Sequence, residues 1–307
     1  MLERLVIPAE ALNQARFRAE AGIQVLLPHL WIPVFTGMTT WVRQQKDLFK
    51  ELKGYKKLYY SEVSLSGFKT LIYEKRDHIA YVTLNRPQAL NVYNIQMRDD
   101  LYQVLRAIKD DPEVRVGIFK GEGEKAFCAG ADLNEFLTAP SPIVARQVRF
   151  GRDVWGLFLS VPQPLIAAVH GYVLGSGIEM ALCCDIRIAS EDVRFGLPEV
   201  MLGILPAAGG TQTLPRIIGR AKALEILLTN RWVDGKEALQ IGLVNQVVPR
   251  DKLLQTAEEM AKKIASYHPI AVRNAKEAVV RGLDLSLMQG LDLEKRLASE
   301  LVSLYRK

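Results

Sequence analysis

The chain has 307 residues, 49% hydrophobic and 24% charged, with a formal net charge of +6. These proportions suit a soluble globular protein and fit poorly with a disordered or membrane-embedded one. Residues 1–66 carry +3 and the remaining 241 another +3, with no run of five like charges. A nucleic-acid partner therefore has little support, and an anionic small molecule suits the excess better.

In chain order, a helix is expected over Glu10–Glu20, then Pro-interrupted apolar sequence over Gly22–Gly37 and a Lys-rich amphipathic stretch over Trp41–Tyr59. The apolar stretch is shorter than the ~20 residues of a membrane-spanning helix and lacks the basic lead of a signal peptide. Residues 1–66 thus read as an atypical N-terminal extension. Trp31–Thr40 resembles translated intergenic repeats, which would put the true start at Met38 or later; a real accessory extension is the equal alternative.

Regular patterning begins at Thr70. Thr70–Lys75 and Ile79–Leu84 alternate like half-buried strands about a turn at Arg76–His78. Helical spacing runs from Ile95 to Lys109 and stops at Asp110-Asp111-Pro112. Val114–Lys120 and Leu165–His170 are apolar strands, Gly177–Cys184 a helix, and Ile186–Ala189 a further strand. Helices follow over Ala221–Asn230, Gly235–Ile241 and Asp251–Tyr267. Strands alternating with helices predict an α/β fold, and the short apolar strands predict a sheet covered on both faces. Cys128, Cys183 and Cys184 form neither a disulfide framework nor a zinc set. The adjacent pair reads as small apolar core, which points to a reducing compartment.

Four stretches carry chemistry: Leu84–Asn91 (LNRPQALN), Lys125–Leu133 (KAFCAGADL), His170–Met180 (HGYVLGSGIEM), and Phe195–Glu199 (FGLPE) with Gly203–Gln212 behind it. Gly175-Ser176-Gly177 opens a helix directly after a buried strand. A helix N-terminus offers free N–H groups and the positive end of the dipole, and so can hold an oxyanion; a tight strand-to-helix turn is the alternative. Glu179 lies in the first turn of that helix among Ile178, Met180, Ala181 and Leu182, where an ionisable group is costly unless it has a task. A helix-capping carboxylate is the alternative. Glu199 follows Pro198 between apolar neighbours, or is a solvated loop carboxylate. In Ala129–Asp132 a small-residue loop presents the Ala131 N–H, or simply turns with Asp132 as an N-cap.

In this order the four stretches resemble the crotonase superfamily, and within it the enoyl-CoA hydratases, over about Phe68–Leu301. The 20-residue separation of Glu179 and Glu199 matches the spacing of that family's two glutamates. The resemblance implies a spiral of β-β-α repeats over residues 67–250 and a C-terminal helical trimerisation region over 251–307, in a homotrimer or dimer of trimers. It implies Glu179 and Glu199 as catalytic residues and the N–H groups of Ala131 and Ser176 as the oxyanion hole, Ser176 standing where glycine is common. Ala89, Leu90, Ala129, Ala131, Asp132, Leu133, Asn134 and Ser176 would line the acyl-CoA substrate. No cofactor beyond coenzyme A in the substrate, no metal, no nucleic acid and no membrane are expected, and the location is cytoplasmic. Asn134 stands where many relatives carry a lysine near a CoA phosphate, and the chain stops short of the family's basic tail. The alternatives are therefore an enoyl-CoA isomerase or a non-catalytic acyl-CoA-binding paralogue.

Overall fold

Strands β1 (Leu71–Arg76) and β2 (Ile79–Leu84) form an antiparallel hairpin turned at Asp77 and His78, whose φ angles are 49° and 66°. The structure is a computed structural model that describes residues 67–136 and 152–305; the expectations on residues 1–66 lie outside them. β2 was expected to be half-buried, yet all six of its residues are buried. The reason is tertiary. Ala80, Val82 and Leu84 face Met97, Leu101 and Val104 of helix α1 (Ile95–Asp110), while Ile79 and Tyr81 face a second cluster containing Ala257 and Ala261. Asn94 caps α1 by accepting the Met97 N–H at 2.9 Å. Truncating Leu101, which is fully buried, would cost about 2–5 kcal/mol.

β2 continues parallel into β3 (Val116–Gly121), β5 (Leu165–Val169), β7 (Ile186–Ser190) and β10 (Gln246–Val248), giving the order β1-β2-β3-β5-β7-β10. A second sheet holds β4 (Ala126–Cys128), β6 (Tyr172–Leu174), β8 (Arg194–Gly196) and β9 (Val233–Asp234). After β3 and β5 the chain turns out of the first sheet, adds one short strand to the second, and returns through helix; after β7 it adds two, β8 and β9, before returning. That is the strand–strand–helix spiral expected from the sequence. Its helices include α2 (Leu133–Phe136), α3 (Val154–Ser160) and α4 (Ser176–Cys183), followed by α5 (Gly210–Ile218), α6 (Arg220–Thr229) and α7 (Gly235–Gln240).

Helix α8 (Leu253–Ala265) lies on the first sheet through Leu253, Ala257, Ala261 and Ala265, an i, i+4 stripe whose small side chains let it sit close to the strands. Helices α9 (Pro269–Gly282) and α10 (Leu287–Tyr305) follow. Among the described residues no helix is long and apolar enough to cross a membrane. Cys128, Cys183 and Cys184 are buried and unbridged, as the core reading requires.

Candidate active site

The site is built on the N-terminus of α4. β6 ends at Leu174, and Gly175 turns the chain with φ 49° and ψ −123°, a conformation that side chains rarely adopt. Gly177 then lets α4 press onto the end of β4, because a Cβ there would stand 2.1 Å from the Cys128 carbonyl oxygen. All eight residues of α4 are buried. Its N-cap is a glycine without a side chain to offer, so the first-turn N–H groups remain available to a ligand.

Glu179, 2% exposed, is fixed from one side. Its Oε1 accepts the N–H groups of Ala208 and Gly210, each at 2.9 Å, from the turn that leads into α5. Two backbone donors on one oxygen match a carboxylate in its anionic form.

Glu199 is built the opposite way. It lies in the 3-10 turn Pro198–Leu202 after β8, and its Oε2 is buried with no hydrogen-bond partner. Burial pushes its carboxyl above the usual carboxylate range, opposed only by a backbone hydrogen bond. Its Oε1 lies 2.7 Å from the point where a Gly175 side chain would begin. Both glutamates therefore converge on the Gly175–Glu179 turn, a meeting the sequence could not show.

The Ala131 amide arrives from the other side of that turn. Tyr93 and Ala131 form a parallel bridge in which the Tyr93 N–H donates to Gly130 O (2.8 Å) and Tyr93 O accepts from Asp132 N (2.7 Å). In this pattern the bridge residue's own N–H points away from its partner, so the Ala131 N–H faces away from Tyr93. A Cβ on Gly175 would stand 3.4 Å from Gly130 Cα. The residues that follow these two glycines are Ala131 and Ser176, the two expected donors.

The expected CoA-lining residues fall on one seam. Ala89 ends a 3-10 turn, Leu90 and Asn91 are left-handed, and Leu90 O accepts the Ala129 N–H at 3.0 Å. Leu133 is exposed, as is Asn134. Asp132 joins the seam by its backbone, but its carboxylate is committed within the chain, pairing with Arg86 at 3.3 Å and accepting the Asn134 N–H at 3.3 Å. Its capping role was one of the two readings open from sequence.

Asn91, the last residue of the LNRPQALN stretch, has a structural task that its sequence position does not reveal. Buried completely, it accepts from Arg86 N and donates to the carbonyls of Glu122 and Ala126, tying the seam to β4. Tyr93 closes the opposite wall. Its ring lies 5.3 Å from that of Trp155 in α3, and its phenol, raised by burial, sits in the field of Glu179. The thiols contribute no nucleophile: burial pushes Cys128 up to about 11 and Cys183 up to about 12.

The fold and this site define an α/β protein of the crotonase type. A family model described as enoyl-CoA hydratase/isomerase matches residues 74–305. The chain is 42% identical over 234 residues to a short-chain-enoyl-CoA hydratase of Clostridium acetobutylicum, covering 76% of this chain and 89% of that protein. It is 39% identical to a crotonyl-CoA hydratase of Syntrophomonas wolfei, covering 74% and 88%. Its structure is similar to the crystal structure of an enoyl-CoA hydratase from Bacillus anthracis, with a TM-score of 0.74 and 41% identity over 76% of this chain and 92% of that one. The chain belongs to the enoyl-CoA hydratase/isomerase family of the crotonase superfamily, enzymes of acyl-CoA metabolism.

Proposed function

We propose that this enzyme adds water across the 2,3 double bond of a trans-2-enoyl-CoA. Glu179 and Glu199 act as its acid–base pair, and the Ala131 and Ser176 N–H groups form its oxyanion hole. The reading rests on one contrast: Glu179 accepts two backbone N–H bonds, while Glu199 buries an oxygen with no partner. A carboxylate held by donors suits a base, and a desolvated carboxyl suits a proton donor.

Water gives a proton to Glu179 as its oxygen bonds to the β-carbon. The double-bond electrons move onto the thioester oxygen, where the two N–H groups hold the enolate. As the enolate collapses, Glu199 delivers a proton to the α-carbon. Loss of one such N–H donor typically costs ~10²–10³ in rate.

The seam through Ala89, Leu90, Ala129, Asp132, Leu133 and Asn134 carries the nucleotide end, and no cofactor beyond the substrate's own coenzyme A takes part. The acyl group is short-chain, branched or alicyclic. The working form is a cytoplasmic homotrimer or dimer of trimers. Support for assembly comes from apolar side chains left exposed on α9 and at the start of α10, namely Val279, Leu283, Leu287 and Met288, with Leu283 between the two helices.

The test is hydration of crotonyl-CoA, followed as loss of conjugated-thioester absorbance, in the wild type beside Glu179→Gln and Glu199→Gln. Turnover by the wild type and a fall of about 10²–10⁴ in each variant are expected. Conversion of a 3-enoyl-CoA without hydration would replace this reading by an isomerase, and binding without either reaction would leave an acyl-CoA-binding paralogue.

A further inference from the structure

Below α4, at the end away from the site, lies an arginine whose charge the fold leaves without a counter-ion. Arg187 of β7 is 6% exposed. Its Nη1 donates to the carbonyls of Cys184 (2.5 Å) and Ala181 (3.4 Å), and its Nε donates to Leu243 O at 2.8 Å. The carboxylate whose charge reaches it, Asp185, is committed to Lys276 at 2.7 Å and to the Leu165 N–H. Among the described residues no carboxylate comes within ion-pair distance of Arg187. Burial works against its charge.

A buried guanidinium with only carbonyl partners is expensive. What faces it is the C-terminus of α4, the negative end of that helix dipole. The N-terminus of the same helix holds Ser176 and, in its first turn, Glu179.

We propose that Arg187 is a positioning residue for catalysis. By neutralising the C-terminal end of α4, it leaves the positive N-terminal end to act undiminished on the enolate. This rests on the reaction proposed above. Eight residues of helix place the guanidinium about 12 Å from the Ser176 amide. At an effective dielectric of ~20, a unit charge at that distance changes the stability of an anion roughly tenfold.

The experiment compares Arg187→Lys, which keeps the charge, with Arg187→Met and Arg187→Gln, which remove it. For each, kcat and KM with crotonyl-CoA are measured beside Kd for two ligands: acetoacetyl-CoA, read by its enolate absorbance, and butyryl-CoA, whose acyl thioester stays uncharged. The two neutral variants are expected to lose about tenfold in kcat and about tenfold in enolate affinity. Their KM and butyryl-CoA affinity should stay within about twofold, with Arg187→Lys restoring most of the loss. Equal weakening of both ligands, or no rescue by lysine, would mean that Arg187 only holds the chain together and would overturn the proposal. Should Arg187→Met fail to fold, Arg187→Gln keeps a donor for the Cys184 carbonyl and is read the same way. Absence of crotonyl-CoA turnover in the wild type would count against the hydratase reading alone, because the two ligand affinities still report the field at α4.

Discussion

Glu179 and Glu199 are the same residue type at one helix terminus, and the chain treats them oppositely. Glu179 has a dedicated socket, two N–H groups on one oxygen. Glu199 has a buried oxygen facing nothing that donates. In the proposed mechanism the first arrangement suits a base and the second a proton donor. The difference follows from backbone placement, since the turn before α5 brings two amides to Glu179 Oε1 while the 3-10 turn after β8 leaves Glu199 Oε2 buried without a donor.

The contrast is broken most severely by Gly175→Ala. The new Cβ would start 2.7 Å from Glu199 Oε1 and 3.4 Å from Gly130 Cα, at a φ of 49°. It strikes the Glu199 carboxylate and presses on Gly130, the residue before Ala131, and the strained φ adds to the cost. A displacement approaching 1 Å at reacting groups can cost 10²-fold, so kcat/KM for crotonyl-CoA should fall by at least about 10². A loss below tenfold would mean that Glu199 does not sit where the proton is delivered.

Gly210→Ala sharpens the other side. Its Cβ would stand 3.0 Å from Glu179 Oε1, at a position where the backbone accepts a side chain, and the Gly210 N–H is kept. Glu179 must shift by a few tenths of an ångström, so a loss of about tenfold in kcat/KM is expected, with the pH profile unmoved. A changed profile would show that the two carboxylates are not independently set.

Much of this plan could be read from residues alone. The wholly apolar surroundings of Glu179 mark α4 as buried, and the four motifs in order give the spiral and both glutamates. What escaped was carried by groups without a side-chain signature. The Ala208 and Gly210 donors are backbone amides inside a small-residue run, and α5 was hidden by Gly209, Gly210 and Pro215. β4, β6 and β8 hold three residues each, too few for periodicity to register. Arg187 lies in a strand that is otherwise apolar but for Ser190, and only tertiary structure reveals that its charge is buried against a helix end.

The smallest effect expected from the contrast is its signature in pH. Glu199 has its folded-state carboxyl raised above the ordinary 4.5 by burial. Sign matters here: a carboxyl raised on folding contributes stability that is fully present below its unfolded value and is lost as pH rises through the folded one. Two consequences share that window. If Glu199 is the proton donor proposed above, hydration should decline on the alkaline side of the raised value, and the decline should be absent from whatever residual rate Glu199→Gln retains. Over the same range the wild type should lose Tm relative to Glu199→Gln, by no more than about 4 °C, because the amide carries no proton to lose. Thermal melts of the two proteins across pH 4–9 measure the difference directly. A wild type that instead gains Tm relative to Glu199→Gln as pH rises would mean that Glu199 is charged and partnered in the folded enzyme, and the proposed roles of the two carboxylates would have to be exchanged.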